Sequence, residues 1–89
     1  MYQVNLRPRA QRELARLPRR DETRLVSAIL RLGAQPRPGQ SLKLTDSIYR
    51  LRVGRFSVIY QIDDGKRLVE VGKVARREKD TYDRIGELF

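Results

Sequence analysis

With 89 residues the chain can enclose one modest core and not two, and 39% hydrophobic residues against 35% charged ones argue for a folded domain rather than a basic tail. Cysteine and histidine are both missing, which excludes a disulfide framework, a thiolate metal site, the customary zinc ligand and an imidazole general base; any catalysis runs on arginine, lysine, tyrosine, carboxylate or backbone. The formal net charge of +9 and pI of about 10.8 suit a polyanionic partner (nucleic acid, an anionic membrane surface or an acidic protein), and 16 of the 20 basic residues are arginines, whose planar fork grips phosphate or carboxylate.

The opening segment, MYQVNLRPRAQREL, lacks the apolar stretch of a signal peptide. Nowhere do apolar residues run to the ~18 that suggest a membrane span, so no membrane role and a cytoplasmic location are expected. Tyr2 to Leu6 alternates in character and predicts a short strand with Val4 pointing inward. Pro8 suits the first turn of a helix, where its missing N–H has no partner to lose. Ala10, Leu14 and Leu17 then form a buried stripe opposite Arg9, Arg12 and Arg16, and Pro18 ends the helix. These arginines, with Arg19 and Arg20, make a basic side: a solvated face in the simplest reading, a phosphate-docking face in the functional one.

A second helix is expected from Asp21, as its N-cap, to Gly33, as its stop. Its apolar set, Leu25, Val26, Ile29, Leu30 and Leu32, is broad enough to pack on both the first helix and a sheet, so the pair should form an αα-hairpin. The segment AQPRPGQ, with two prolines and a glycine, reads as a connection anchored at its far end by Leu42 and Leu44.

From Ile48 the period changes to two. Ile48 to Val53 is a strand with Arg50 and Arg52 on one face and Tyr49, Leu51 and Val53 on the other. Gly54 and Arg55 make a tight connection to a second strand, Phe56 to Asp63, with Phe56, Val58, Tyr60 and Ile62 toward the core. The next turn is expected at Asp63, Asp64, Gly65 and Lys66, with Asp-Gly supplying positive φ, before a third strand from Arg67 to Ala75. Tyr82, Ile85, Leu88 and Phe89 fall at roughly helical spacing in the tail, and Gly86 makes that terminal helix short and marginal. The expected class is α+β: an N-terminal strand, an αα-hairpin, a three-stranded antiparallel meander and a short C-terminal helix.

This order, with YRLRVGRFSVIYQIDD, the closing VGKVARREKDTY and the weaker helical marker AQRELARLP, resembles the RelE/ParE superfamily of type II toxins over nearly the full length. The resemblance implies a single RelE-like domain over residues 1–89, and a metal-independent endoribonuclease without cofactor that cuts translated mRNA on the ribosome. It also implies a small, acidic, partly disordered antitoxin that forms a hetero-oligomer with the toxin. The alternatives are a ParE-like inhibitor of DNA gyrase and, from another class, a non-catalytic basic RNA-binding module. The last is less attractive because the strands carry no RNP-type aromatic pair and the helices no helix-turn-helix signature.

Carried over position by position, the resemblance makes Arg50 and Arg52 contacts to the RNA backbone around the scissile phosphate. Arg77 becomes the residue that stabilises developing charge, and Tyr82 a stacking or orienting group. Arg55, Arg76, Lys79 and Lys43 complete the RNA-binding set. Only one of Arg76 and Arg77 can face the site if the strand continues past Ala75. Ser57 departs from the pattern, since many ribonuclease members carry an arginine there; Arg55 is the neighbour that could reach the same region. Arginine is a strong electrostatic clamp and a poor proton acceptor at pH 7, so the general base is unassigned.

Overall fold

The computed structural model describes residues 1–77 and 85–89. Five strands form one sheet: β1 (Gln3–Leu6), β2 (Ser41–Lys43), β3 (Ile48–Val53), β4 (Phe56–Asp63) and β5 (Leu68–Arg76), in the order β1-β5-β4-β3-β2. Strands β2 to β5 pair antiparallel in succession, while β1 pairs parallel with β5. Two helices, α1 (Pro8–Ala15) and α2 (Arg19–Arg31), are joined through Pro18. Their apolar stripes, Ala10 and Leu14 with Leu25, Ala28, Ile29 and Leu32, pack against Tyr49, Leu51, Val53, Phe56, Val58, Tyr60, Ile62, Val69, Val71 and Val74 on one face of the sheet.

The expected α+β class and the αα-hairpin are present, and the three meander strands lie where their period places them. Several local details differ. Helix α2 starts at Arg19 behind Pro18, with no side-chain cap; Asp21 and Glu22 instead sit in its first turn, where a carboxylate favours the positive end of the helix. The helix ends at Arg31 with Leu32 as C-cap, and Gly33 follows because β1 comes too close for a side chain: a Cβ there would lie 2.9 Å from the Tyr2 carbonyl oxygen. Leu30, read as part of the packing face, is 64% exposed.

The segment after AQPRPGQ adds a fifth strand, β2, on the free edge of β3. Its Leu42, expected to anchor the loop, is 48% exposed. At the β4–β5 turn positive φ falls on Arg67 (φ 50) rather than on Gly65, because the turn spans four residues instead of closing through Asp-Gly. The other positive φ, 60° at Gly54, lies at the first of the two residues joining β3 to β4, where a II′-type turn requires it. The tail closes in a single 3₁₀ turn, Ile85–Leu88, in place of the expected α-helix over that stretch.

Strand β5 carries the irregularity that sets the other face. Ile59 pairs with Lys73 but Tyr60 pairs with Val71, so Gly72 is an extra residue in a bulge. Val69, Val71 and Val74 all reach the core, and the phase of alternation reverses between Val71 and Val74. A Cβ on Gly72 would come within 2.8 Å of the Phe89 ring and 3.1 Å of Leu88, so the missing side chain makes the seat on which the chain end rests.

Candidate nucleic-acid interface

The face of the sheet turned away from the helices is read directly from the register. One row runs Leu42, Arg50, Ile59 and Lys73; the next runs Arg52, Ser57 and Ala75. Arg50 and Arg52, two residues apart on β3, are therefore about 7 Å apart along one face. This face is not the solvated charged surface that antiparallel sheets often present: Ile48, Ser57 and Ile59 are buried, and both arginines are half-buried. Ile48 and Ile59 lie outside the main core, so they form a second, smaller apolar layer around the guanidinium stems.

Beyond the second row, β5 ends at Arg76. The Arg77 N–H donates to the Arg55 carbonyl at 2.7 Å, which ties the exit of β5 to the β3–β4 turn. Arg76 pairs with Phe56 and falls in phase with the helix-covered face, and Arg77, the first residue past the strand, is fixed beside Arg55 by its main-chain bond. Arg50 and Arg52 thus share one face, and the main chains of Arg55 and Arg77 are joined at its β3–β4 end. Lys43 pairs with Tyr49 and takes the opposite phase, so it and Arg76 lie apart from that group. Tyr82 and Lys79 lie outside the described residues. Ser57 sits between Arg52 and Ala75 and is 1% exposed, so the position of the family arginine holds a buried hydroxyl, with Arg55 exposed in the adjoining turn.

At the opposite end of the sheet a polar cluster holds the proline-rich loop to the β4–β5 turn. The Arg37 guanidinium donates to both Asp64 carboxylate oxygens at 2.8 and 3.3 Å and, through Nε, to the Tyr49 hydroxyl at 3.0 Å. Tyr2 donates its hydroxyl to Asp64 at 2.5 Å, and the Tyr60 hydroxyl donates to the Pro36 carbonyl at 2.7 Å. The hydrogen bonds from Arg37 and then Tyr2 hold the Asp64 carboxyl below its ordinary value, and the bond to Asp64 raises the Tyr2 phenol. Burial pushes the Tyr60 phenol up to about 12. None of these groups is on the arginine face. They set the loop that leads into β2.

Sequence reasoning missed Arg24. Its guanidinium lies against Gly54, where a Cβ would meet Nη1 at 2.7 Å, so α2 contributes a cation to the same end of the molecule as Arg52 and Arg55. Only its i, i+4 spacing from Arg20 hinted at a shared face. Among the described residues, no group of three or more carboxylate, histidine or cysteine side chains is arranged to hold a metal ion.

Residues 4–81 match the family model described as the ParE toxin of the type II toxin–antitoxin system parDE. The chain belongs to the ParE toxin family. A relative from Methanocaldococcus jannaschii that carries the name RelE1 is 29% identical over 82 residues, covering 86% of this chain and 91% of the relative. Among solved structures, the RelBE2 toxin–antitoxin complex of Mycobacterium tuberculosis contains a chain 26% identical, with a TM-score of 0.76 and coverage of 85% and 98%. The archaeal RelE–RelB complex of Pyrococcus horikoshii aligns at TM-score 0.77 and 23% identity, covering 89% of this chain and 98% of that one. The isolated Escherichia coli RelE toxin aligns at 0.76 and 22%, covering 90% and 88%. This ParE-family chain therefore has the RelE fold, and no helix among its described residues is long and apolar enough to cross a membrane.

Proposed function

We propose that this toxin-family chain acts in the cytoplasm as a single-domain, ribosome-dependent endoribonuclease that cuts translated mRNA, and that a partly disordered acidic antitoxin neutralises it in a hetero-oligomer. The observation that carries the reading is the pair Arg50 and Arg52 on one half-buried sheet face, with Arg55 and Arg77 joined through their main chains at its β3–β4 end. The antitoxin partner is supported by the toxin–antitoxin complexes among the structural neighbours.

The chemistry matches what guanidinium groups can do. A ribose 2′-oxygen bonds to the adjacent phosphorus, the P–O5′ bond breaks, the 2′-hydroxyl proton leaves to a base and the departing 5′-oxygen takes up a proton. Charge builds on the phosphorane oxygens, and preorganised cations beside an apolar layer stabilise it more than the same cations in water would. A guanidinium is a charge clamp and a poor proton acceptor, so the role of Arg50, Arg52 and Arg77 is electrostatic and needs no metal charge. Alignment of the 2′-oxygen by the ribosome accounts for a site built without a histidine, since correct positioning is worth ~7 to 11 kcal/mol of barrier.

The test is inducible expression in cells with translation and DNA integrity followed separately. Arrest of translation with cut mRNA, abolished by R50Q/R52Q, supports the ribonuclease reading, whereas intact mRNA would sink it. A second reading, inhibition of DNA gyrase, is favoured by the ParE description of the matching family and by buried Ser57 at the arginine position. It calls for DNA breaks and filamentation with intact mRNA.

A further inference from the structure

Two cavities flank the β3–β4 turn, of about 490 and 450 Å³, and Arg24 lines both. The first lies between the start of α2 and the turn, with Arg20, Arg24 and Arg55 on its walls and Asp21 as its one carboxylate. The second continues along α2 to Arg31 and reaches Arg52 on β3. Arg20, Arg24 and Arg31 follow one another at spacings of four and seven, which places them on one face of α2. None of Arg20, Arg24, Arg31 and Arg55 forms an ion pair with a described residue, whereas Arg7, Arg9 and Arg37 each have a carboxylate partner. Gly54 lets this happen: its left-handed backbone makes the turn, and its missing Cβ leaves the space that the Arg24 guanidinium fills.

We infer that this cleft is a second phosphate-binding subsite, which holds the backbone of the RNA strand leaving the Arg50 and Arg52 face, through Arg24 with Arg20 and Arg55. The inference rests on the sheet face being the RNA site. Continuity selects the same RNA strand as occupant, because Arg52, which belongs to the sheet face, also lines the cavity that Arg24 lines. Charge complementarity selects a phosphate backbone, since three guanidiniums surround one carboxylate in the first cavity. Phosphate contacts position a strand without reading its bases, so the subsite sets register and affinity while leaving sequence preference to other residues.

The test is binding of a fluorescent, ribose-methylated and hence uncleavable oligoribonucleotide to the full chain, measured as Kd across roughly 50 to 200 mM salt. Each phosphate contact to a single strand contributes about 0.7 to the slope of log Kd against log salt, so R20Q/R24Q should lower that slope by about 1.4. R20K/R24K should keep most of it. The variants sit on the exposed side of α2, and unchanged circular dichroism and melting confirm that the fold is intact. A normal slope in R20Q/R24Q together with a lowered one in R50Q/R52Q overturns the inference and leaves the sheet-face site standing. A lowered slope in R20Q/R24Q with no change in R50Q/R52Q keeps a phosphate site in the cleft and removes the sheet face. Unchanged slopes in both variants overturn the subsite and the RNA reading together.

Discussion

The Glu13 carboxylate accepts the main-chain N–H of Val74 at 2.8 Å, across the seam where β1 has ended and β5 continues. Strand β1 pairs with β5 only as far as Leu6 opposite Val71, and the Arg7 N–H adds one more bond to the Val71 carbonyl. Past that point the edge of β5 would hold an unpaired amide beneath α1, and the α1 side chain supplies the missing acceptor. Its second oxygen accepts from Arg9 at 3.3 Å, one turn earlier on the helix. Glu13→Ala should cost about 1 to 3 kcal/mol by leaving the Val74 amide unsatisfied, and Glu13→Gln, which keeps a carbonyl acceptor, distinctly less. Urea unfolding of the two variants measures the difference.

The turn that carries positive φ on Arg67 offers a stabilising substitution. A left-handed conformation costs a residue with a Cβ about 1 to 2 kcal/mol, and glycine avoids that cost while losing somewhat more chain entropy on folding. Arg67→Gly should therefore raise stability by about 1 kcal/mol. An unchanged or lower denaturation midpoint would show that the Arg67 side chain contributes elsewhere.

Alkaline pH should loosen the loop clamp at Tyr60. Its folded pKa of about 12 lies above the ordinary phenol value near 10, so the native state retains a proton that the unfolded chain has lost. The stabilisation is complete below about pH 10 and disappears as pH rises through about 12. Tyr60→Phe should flatten this limb of a stability-versus-pH curve.

At the acid end the sign reverses. Asp64 is held below its ordinary value by Arg37 and Tyr2, so its contribution is present above the unfolded carboxyl pKa, near 3.9, and is lost as pH falls through the lower folded value. Asp64→Asn should weaken this acid dependence. It should also expose the 34–40 loop to proteolysis, since the Arg37 fork loses its carboxylate partner.

For activity, single Arg50→Gln, Arg52→Gln and Arg77→Gln variants should each lower mRNA cleavage by about 10² to 10³-fold if each guanidinium meets developing charge, the scale for loss of one preorganised donor. Ribosome-programmed cleavage assays with purified variants read this directly. Arg76→Gln and Lys43→Gln serve as controls, and losses as large as those of the triad would mean that β5 or β2 presents a different face to the RNA.

Charge, period and punctuation in the sequence carried much of the outcome. The bare alternation from Ile48 to Val53 and from Phe56 to Asp63 placed Arg50 and Arg52 on one face and the aromatic residues on the other, because side chains in a strand must alternate. The proline and apolar spacing of the first thirty residues likewise forced a helical hairpin. What alternation could not supply was the phase of β5. Counting from Val69 and Val71, an unbroken strand would put Arg77 with the core and Arg76 with Arg50. The bulge at Gly72 reverses the phase as far as Arg76, where the strand ends, since one extra residue moves every later strand side chain to the other face. The bulge is a property of pairing between two strands, with Phe89 occupying the space above it, and a glycine in a strand indicates only that such a site is permitted. Glu13 on Val74, Arg37 on Asp64 and Arg24 against Gly54 join residues 61, 27 and 30 positions apart, so each was decided by how the elements meet and not by anything local to either residue.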